Sequence, residues 1–412
     1  MVSNIAPGLA TLALSSFIGS TFPGAAAAAP TTAPTTAPTT APTTAPTTAP
    51  TTAPTTAPTA TDASAVCPTV TPLHGLLPFL IWIGILPRPV MASTVAASDT
   101  STSIVIRPDA KDQITCGKAA LKTVDDVIFA TRTLANGKSM DLSLDIQMPE
   151  RRAKRPLVVY VTGGGFIQAP KEAALNLRAY VAEAGFVVAS IQYRTVRDGA
   201  NFRDGIADVK SAVRYLRANA GKYGIDPAKV AVWGESAGGY LAAMVGVTNG
   251  IKAFDVGNDL DQSSDVQAVV NKFGASDTSK LAADFDAHAQ QADNAKDNPV
   301  AQYIGMTRDT HVLDTAIAAT AANPLSYIKA SAPPFLSFHG SQDRLISPSQ
   351  TLILHNALIA AGATSTRYVL DGAGHGDLSF LGDTQSGLPW STKQTMGIIV
   401  DFLKVSIGGA VP

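Results

Sequence analysis

Gly234-Glu235-Ser236-Ala237-Gly238 sets a serine between glycines two residues to either side, directly after the apolar run Val230-Ala231-Val232-Trp233. A strand that breaks into such a turn and resumes at helical spacing holds the serine Oγ at the apex in a strained backbone conformation. The N–H groups that open the following helix, from Ala237 onward, lack intrahelical partners and carry the positive end of its dipole. They face the place where an oxyanion would form. These are the parts needed for acyl transfer by a serine nucleophile. In a chain with 33 glycines among 412 residues the pattern alone is weak, so the partners it requires must decide. They are a base, an acid to orient the base, and a second source of oxyanion donors.

All three follow from the pattern. Upstream, Pro156 to Thr162 reads as a buried strand ending in Gly163-Gly164-Gly165-Phe166, where bare backbone N–H groups of Gly164 and Gly165 are free to face a substrate. Downstream, Pro334 to Phe338 is a strand running into His339-Gly340-Ser341-Gln342-Asp343. Thr366 to Asp371 is another, and it ends in Gly372-Ala373-Gly374-His375-Gly376, a loop free to swing its histidine over the sheet edge. The chain order is therefore serine, aspartate, histidine, with every group at the carboxyl end of a strand, where open α/β sheets place their sites. Asp277, after the strand pattern of Val266 to Ala275, is a rival for the acid. His339 reads as a packing residue at its strand end, and Glu235 as a hydrogen-bonding support of the turn. Asp208 reads as a solvated or loop-anchoring charge, and Trp390 as a core residue or a pocket wall.

Elements that could position these groups alternate along the chain. Val127 to Thr133 and Ser139 to Met148 flank Asn136-Gly137, a strong hairpin signal. Glu172 to Ala184 is helical, Phe186 to Tyr193 is a buried strand, and Ile206, Val209, Val213 and Leu216 form one helical face. Between Ser276 and Pro324 the pattern loosens into a region suited to a small cap. Ser349 to Ala361 and Lys393 to Val405 are the last helices. Such alternation predicts a mainly parallel, doubly wound α/β sheet covered on both faces, with an antiparallel N-terminal hairpin.

These motifs together resemble the α/β-hydrolase esterases, in particular the secreted carbohydrate esterases (acetylxylan and feruloyl esterases) and the hormone-sensitive-lipase-like carboxylesterases. The resemblance runs from about Asp125 to Leu403 and rests on Gly163 to Phe166, Tyr223 to Pro227, Gly234 to Gly239, His339-Gly340-x-x-Asp343 and Gly374 to Gly376. Relatives usually carry histidine before the three glycines, where this chain has Thr162. The resemblance implies the α/β-hydrolase fold with a small cap insertion and a Ser236, His375, Asp343 triad. It also favours Asp343 over Asp277, and it implies an oxyanion hole of Gly164, Gly165 and Ala237. The expected activity is hydrolysis of short-chain carboxylic esters, with acetyl or feruloyl esters of carbohydrates among the substrates. The alternatives are a prolyl-oligopeptidase-like peptidase, a lipase, or a non-catalytic binding protein on the same scaffold. The chemistry calls for no metal and no organic cofactor.

Net charge is −1, from 31 basic and 32 acidic residues, so there is no electrostatic footprint for nucleic acid. With 14 Phe and 3 Trp and no amphipathic stretch of interfacial-lid character, the chain is expected to favour small acyl groups. Thr-Thr-Ala-Pro repeats from Thr31 to Pro58 read as an extended stalk. Leu76 to Leu86 has the length of a signal-peptide core, and Val90-Met91-Ala92 offers small residues for a peptidase. The expected division is 1–92 as targeting segment and stalk, 93–124 as an arm and 125–412 as the catalytic domain. A secreted or cell-envelope location follows, with no stable membrane span. The two cysteines, Cys67 and Cys116, lack metal or redox spacing, and Cys116 reads as a lone thiol.

Overall fold

In the computed structural model, which describes residues 65–67, 90–150, 153–295, 298–305, 320–378, 383 and 385–408, the alternating pattern forms a nine-stranded mixed sheet. Its strands are β1 (Ile104–Ile106), β2 (Leu121–Thr133), β3 (Ser139–Pro149), β4 (Arg155–Val161), β5 (Val187–Ile191), β6 (Ile225–Glu235), β7 (Ala268–Lys272), β8 (Phe335–Gly340) and β9 (Ser365–Leu370). Their order is β1-β9-β8-β7-β6-β4-β5-β3-β2. The β2/β3 and β3/β5 pairs are antiparallel and the rest are parallel. The Thr/Ala/Pro repeats and Leu76 to Leu86 lie outside the described residues, as does part of the expected cap.

Burial on both faces explains why the central strands are continuous apolar runs. In β4, Leu157, Val159 and Val161 join one core and Val158 and Tyr160 the other. The first core is closed by α2 (Phe202–Ala218), α3 (Ala237–Val247) and α4 (Ser349–Ala360), and the second by α1 (Leu175–Glu183) and α5 (Lys393–Ser406). The face of α2 read from Ile206, Val209, Val213 and Leu216 is wholly buried. At the Asn136-Gly137 turn, Gly137 takes φ 79° and the Asn136 side chain accepts from Lys138 N.

Two parts of the arm depart from the sequence reading. Ile104–Ile106 pairs in parallel with β9 and completes one edge of the sheet; three residues are too few to show a period of two. Cys116 is not a lone thiol, because it forms a disulfide with Cys67 across 49 residues. Counting cysteines could not find the bridge, which exists because Ala65–Val66 pairs antiparallel with Thr115–Cys116. Closing a loop of this length restricts the unfolded chain, a contribution of about 2–4 kcal/mol. Cys116→Ser is accordingly expected to lower the thermal midpoint by several degrees in calorimetry without reductant. Full alkylation of the unreduced, unfolded chain would refute the bridge.

The arm also ties down the rim that will carry the site. Ala92 is fully buried, its N–H donates to Arg344 O, and Arg344 Nε donates back to the Ala92 carbonyl. Ser93 N and Oγ both donate to Asp286 Oδ2 at 2.7 Å. Among the described residues no helix is long and apolar enough to cross a membrane.

Candidate active site

The run Val230 to Glu235 ends β6 and α3 starts at Ala237, which leaves Ser236 alone between them at φ 55°, ψ −122°. That conformation is costly for a residue with a Cβ and is held by its surroundings. Ser236 N donates to Lys272 O at 2.9 Å, and Tyr240 N to Ser236 O at 3.0 Å. Gly238 is required by close approach, since a Cβ there would lie 2.0 Å from Val161 O. Three of the six described non-glycine residues with positive φ stand at this rim: Phe166, Ser236 and Phe273.

Ser236, Asp343 and His375 meet at the carboxyl ends of β6, β8 and β9. The loops after β8 and β9 are laced together, with Ser341 N donating to Leu370 O and Gln342 N to Ala373 O. His375 Nε2 lies 2.9 Å from Ser236 Oγ, and His375 Nδ1 lies 2.7 Å from Asp343 Oδ2. A neutral ring with its proton on Nδ1 donates to the carboxylate and leaves Nε2 to accept from the serine hydroxyl. Asp343 and His375 are buried, whereas Ser236 is half-buried. Serine is thus the member of the set that solvent reaches most readily.

Asp343 cannot turn away from this geometry. Its Oδ1 accepts from Leu345 N and Ile346 N at 2.9 and 3.0 Å, and its Oδ2 lies 3.1 Å from His339 Nε2. Burial by itself would raise the carboxyl pKa, but the facing His375, followed by the His339 hydrogen bond, holds it well below the usual carboxylate range. His339 is more than the packing residue its position suggested. Its Nδ1 lies 3.0 Å from Thr351 Oγ1, which accepts from Arg367 Nε at 3.0 Å, so a chain of buried side chains ends on the carboxylate. Burial lowers the His339 pKa and so favours the neutral ring, the form that can both donate to Asp343 and accept from Thr351. Asp277 is engaged elsewhere. It accepts from Ser279 N and Oγ and pairs with Lys280.

The glycine run lies against the serine, with the Cβ of Ser236 3.1 Å from where a Cβ on Gly163 would sit. Gly164 needs its glycine, because at φ 148° a Cβ would lie 2.1 Å from Gln168 O. Its carbonyl is turned into the loop by Ile167 N and Gln168 N, at 3.0 and 3.2 Å. Thr162 is buried, and its carbonyl accepts from Tyr193 Oη at 3.1 Å. Beyond the run, Phe166 stacks on Tyr303 at 4.2 Å and meets Tyr240 edge-on, and across the site Phe273 lies 4.6 Å from the His375 ring.

Lys272 escaped the sequence reading although a lysine in the buried run Val269 to Phe273 is itself a signal. Its Nζ bonds Glu235 Oε1 at 2.6 Å beneath the turn, ringed by Trp233, Phe273 and Trp390 at 5.9, 5.6 and 5.1 Å. Glu235 therefore supports the turn as its position suggested. Trp390 is core, donating from Nε1 to Gly374 O in the histidine loop. Asp208 is fully buried between Arg132 and Arg194 and anchors rather than meets solvent. Among the described residues, no group of three or more His, Cys, Asp or Glu could hold a metal ion.

Comparison with known proteins adds independent findings. The BD-FAE family profile matches residues 144–358, a stretch that takes in Ser236 and Asp343 and stops short of His375. The chain is 31% identical over 233 residues to esterase LipC of Mycobacterium tuberculosis, covering 56% of this chain and 54% of that one. It is 29% identical over 221 residues to esterase LipQ of the same organism, covering 53% and 49%. The chain thus spans about half the length of these curated relatives. Among solved structures, a truncated form of a carbohydrate esterase from gut microbiota superposes with TM-score 0.57 at 25% identity, covering 74% of this chain and all of that one. An esterase of Thermogutta terrifontis superposes with TM-score 0.53 at 24% identity over 71% of this chain and 94% of that one, a likeness of fold.

Proposed function

The chain belongs to the BD-FAE family and has the α/β-hydrolase fold, and from that premise we propose that it is a serine carboxylic-ester hydrolase acting on short-chain acyl esters, including acetyl esters of carbohydrates. The observation that carries this reading is the hydrogen-bonded line from Ser236 Oγ through His375 to Asp343, 2.9 and 2.7 Å, with the serine held at positive φ beside the glycine run.

In this reading Ser236 Oγ attacks the ester carbonyl carbon while His375 Nε2 takes the hydroxyl proton. Asp343 holds the ring tautomer and stabilises the imidazolium. The carbonyl oxygen becomes an oxyanion, met by the N–H of Ala237 and that of Gly164 or Gly165, donors that need no reorganisation as the charge develops. Collapse expels the alcohol, which takes the proton from His375 Nε2. Water activated by the same nitrogen then releases the acid and restores Ser236.

The aromatic side chains on both sides of the site support a preference for small acyl groups. A pocket gains about 0.8 kcal/mol per buried methylene only while it has room for the next one. Rates for acetyl, butyryl, octanoyl and palmitoyl esters of one chromogenic alcohol, beside acetylated xylan, should fall after the short members. A steady rise to palmitoyl with a jump at a lipid–water interface would make the protein a lipase. The Cys67 to Cys116 disulfide supports a place outside the reducing cytosol, in keeping with secretion or a cell-envelope location, and it requires that the mature chain keep Cys67, so in this reading no cleavage follows Ala92.

A further inference from the structure

A hollow of about 190 Å³ opens beside the glycine run, walled by Met140, Ile167, Gln168, Gln192, Arg197 and Asp198 among others. Topology places it on the same rim as the serine. Gln168 follows β4, Gln192 and Arg197 follow β5, and Met140 lies at the matching end of β3, which runs antiparallel to β5. Ser236 follows β6, the neighbour of β4. With strands about 4.8 Å apart, the hollow sits roughly 5 to 15 Å along the rim from the nucleophile. That is the range of an alcohol attached to the scissile ester.

Its walls pair donors with apolar surface. Among the described residues, neither the Arg197 guanidinium nor the Gln168 amide has an intramolecular hydrogen-bond partner. Gln192 Oε1 is already occupied by Ser143 N and Oγ, so its NH₂ group is what it has to offer. Asp198 accepts from Thr195 N and Oγ through Oδ2 alone. Met140 and Ile167 supply an apolar surface. The loop bearing Arg197 is anchored from below, where buried Asp208 accepts from Arg194 N and Nε at 3.1 and 2.9 Å. A fatty chain would give these donors nothing to bond, whereas a ring with vicinal hydroxyls and C–H faces answers both kinds of surface.

We propose that this hollow is the subsite for the alcohol half of the ester, that it takes one polyhydroxylated ring, and that Arg197 and Gln168 set its specificity. The proposal rests on the ester-hydrolase reading above. The volume falls below the ~300–1,000 Å³ of drug-sized sites, which suits one ring rather than a polymer segment.

The test compares kcat/KM for acetylated xylobiose with that for para-nitrophenyl acetate, in the wild-type protein and in Arg197→Ala, Gln168→Ala and Arg197→Lys. A lost hydrogen bond to a charged group predicts that Arg197→Ala lowers the ratio of sugar ester to aryl ester about tenfold or more, chiefly through KM, with partial recovery in Arg197→Lys. Gln168→Ala should lower it several-fold. Arg197 is exposed and, among the described residues, its guanidinium has no partner, so its removal should not cost the fold, and thermal midpoints check this. A ratio unchanged within about twofold in both alanine variants overturns the subsite and leaves the hydrolase reading standing. So does a wild-type protein that cleaves the aryl ester and ignores the sugar ester. Failure to cleave either ester overturns the hydrolase reading itself.

Discussion

Replacing Ser236 by alanine is expected to lower kcat for para-nitrophenyl acetate by about 10⁵- to 10⁶-fold while leaving the thermal midpoint nearly unchanged. The hydroxyl is the atom that would attack, so no other group at the rim can substitute for it, and triad members act as a unit. Only one partly buried hydrogen bond is lost, that between Oγ and His375 Nε2 at 2.9 Å. The turn itself is held by backbone contacts, Ser236 N to Lys272 O and Tyr240 N to Ser236 O, which alanine keeps. A fluorophosphonate probe should add covalently to the Ser236 peptide of the wild-type protein and to no peptide of the variant. Retention of more than about 1% of wild-type activity would remove the serine from its role.

Asp343→Asn is expected to cost about 10³- to 10⁴-fold in kcat, and Asp277→Asn less than about threefold. An amide at position 343 can donate its NH₂ to His375 Nδ1, which favours the tautomer with its proton on Nε2 and so blocks the nitrogen that must take the serine proton. It also ends the charge compensation of the imidazolium at a fully buried position. The carboxylate at position 277 supports a short turn through Ser279 and pairs with exposed Lys280, so its loss falls within the small cost of a surface cap. Steady-state kinetics on both variants decide, and the reverse ranking would move the acid to Asp277.

How far the site could be read in advance depended on whether each residue's role was local. Ser236, Gly238 and Ala237 were legible because the strand, turn and helix that define them are adjacent in the chain, and Gly164 because it stands in a run of three glycines after its own strand; at Gly164 and Gly238 a Cβ would come too close to a backbone oxygen. His375 was legible from its glycine-rich loop after a late strand. The preference for Asp343 over Asp277 came from the family resemblance and not from local pattern, since both residues follow strands. In the structure the register of β8 beside β9, Gly340 against Leu370, brings the Asp343 and His375 loops together.

Local pattern was enough to give the nature of the elements: buried runs on both faces of a parallel sheet, an Asn-Gly hairpin, the serine turn and the order of its partners. These follow from period, turn chemistry and apolar content, which are properties of neighbours in the chain. Tertiary structure alone decided that Cys67 meets Cys116, that Ile104–Ile106 completes the sheet edge, that buried Lys272 braces Glu235, and that Arg367, Thr351 and His339 line up behind Asp343. Each of these joins residues tens to hundreds of positions apart, or pairs a buried polar group with the one partner that satisfies it. No local pattern encodes such a meeting; it exists only once the sheet has set which strand ends share a rim.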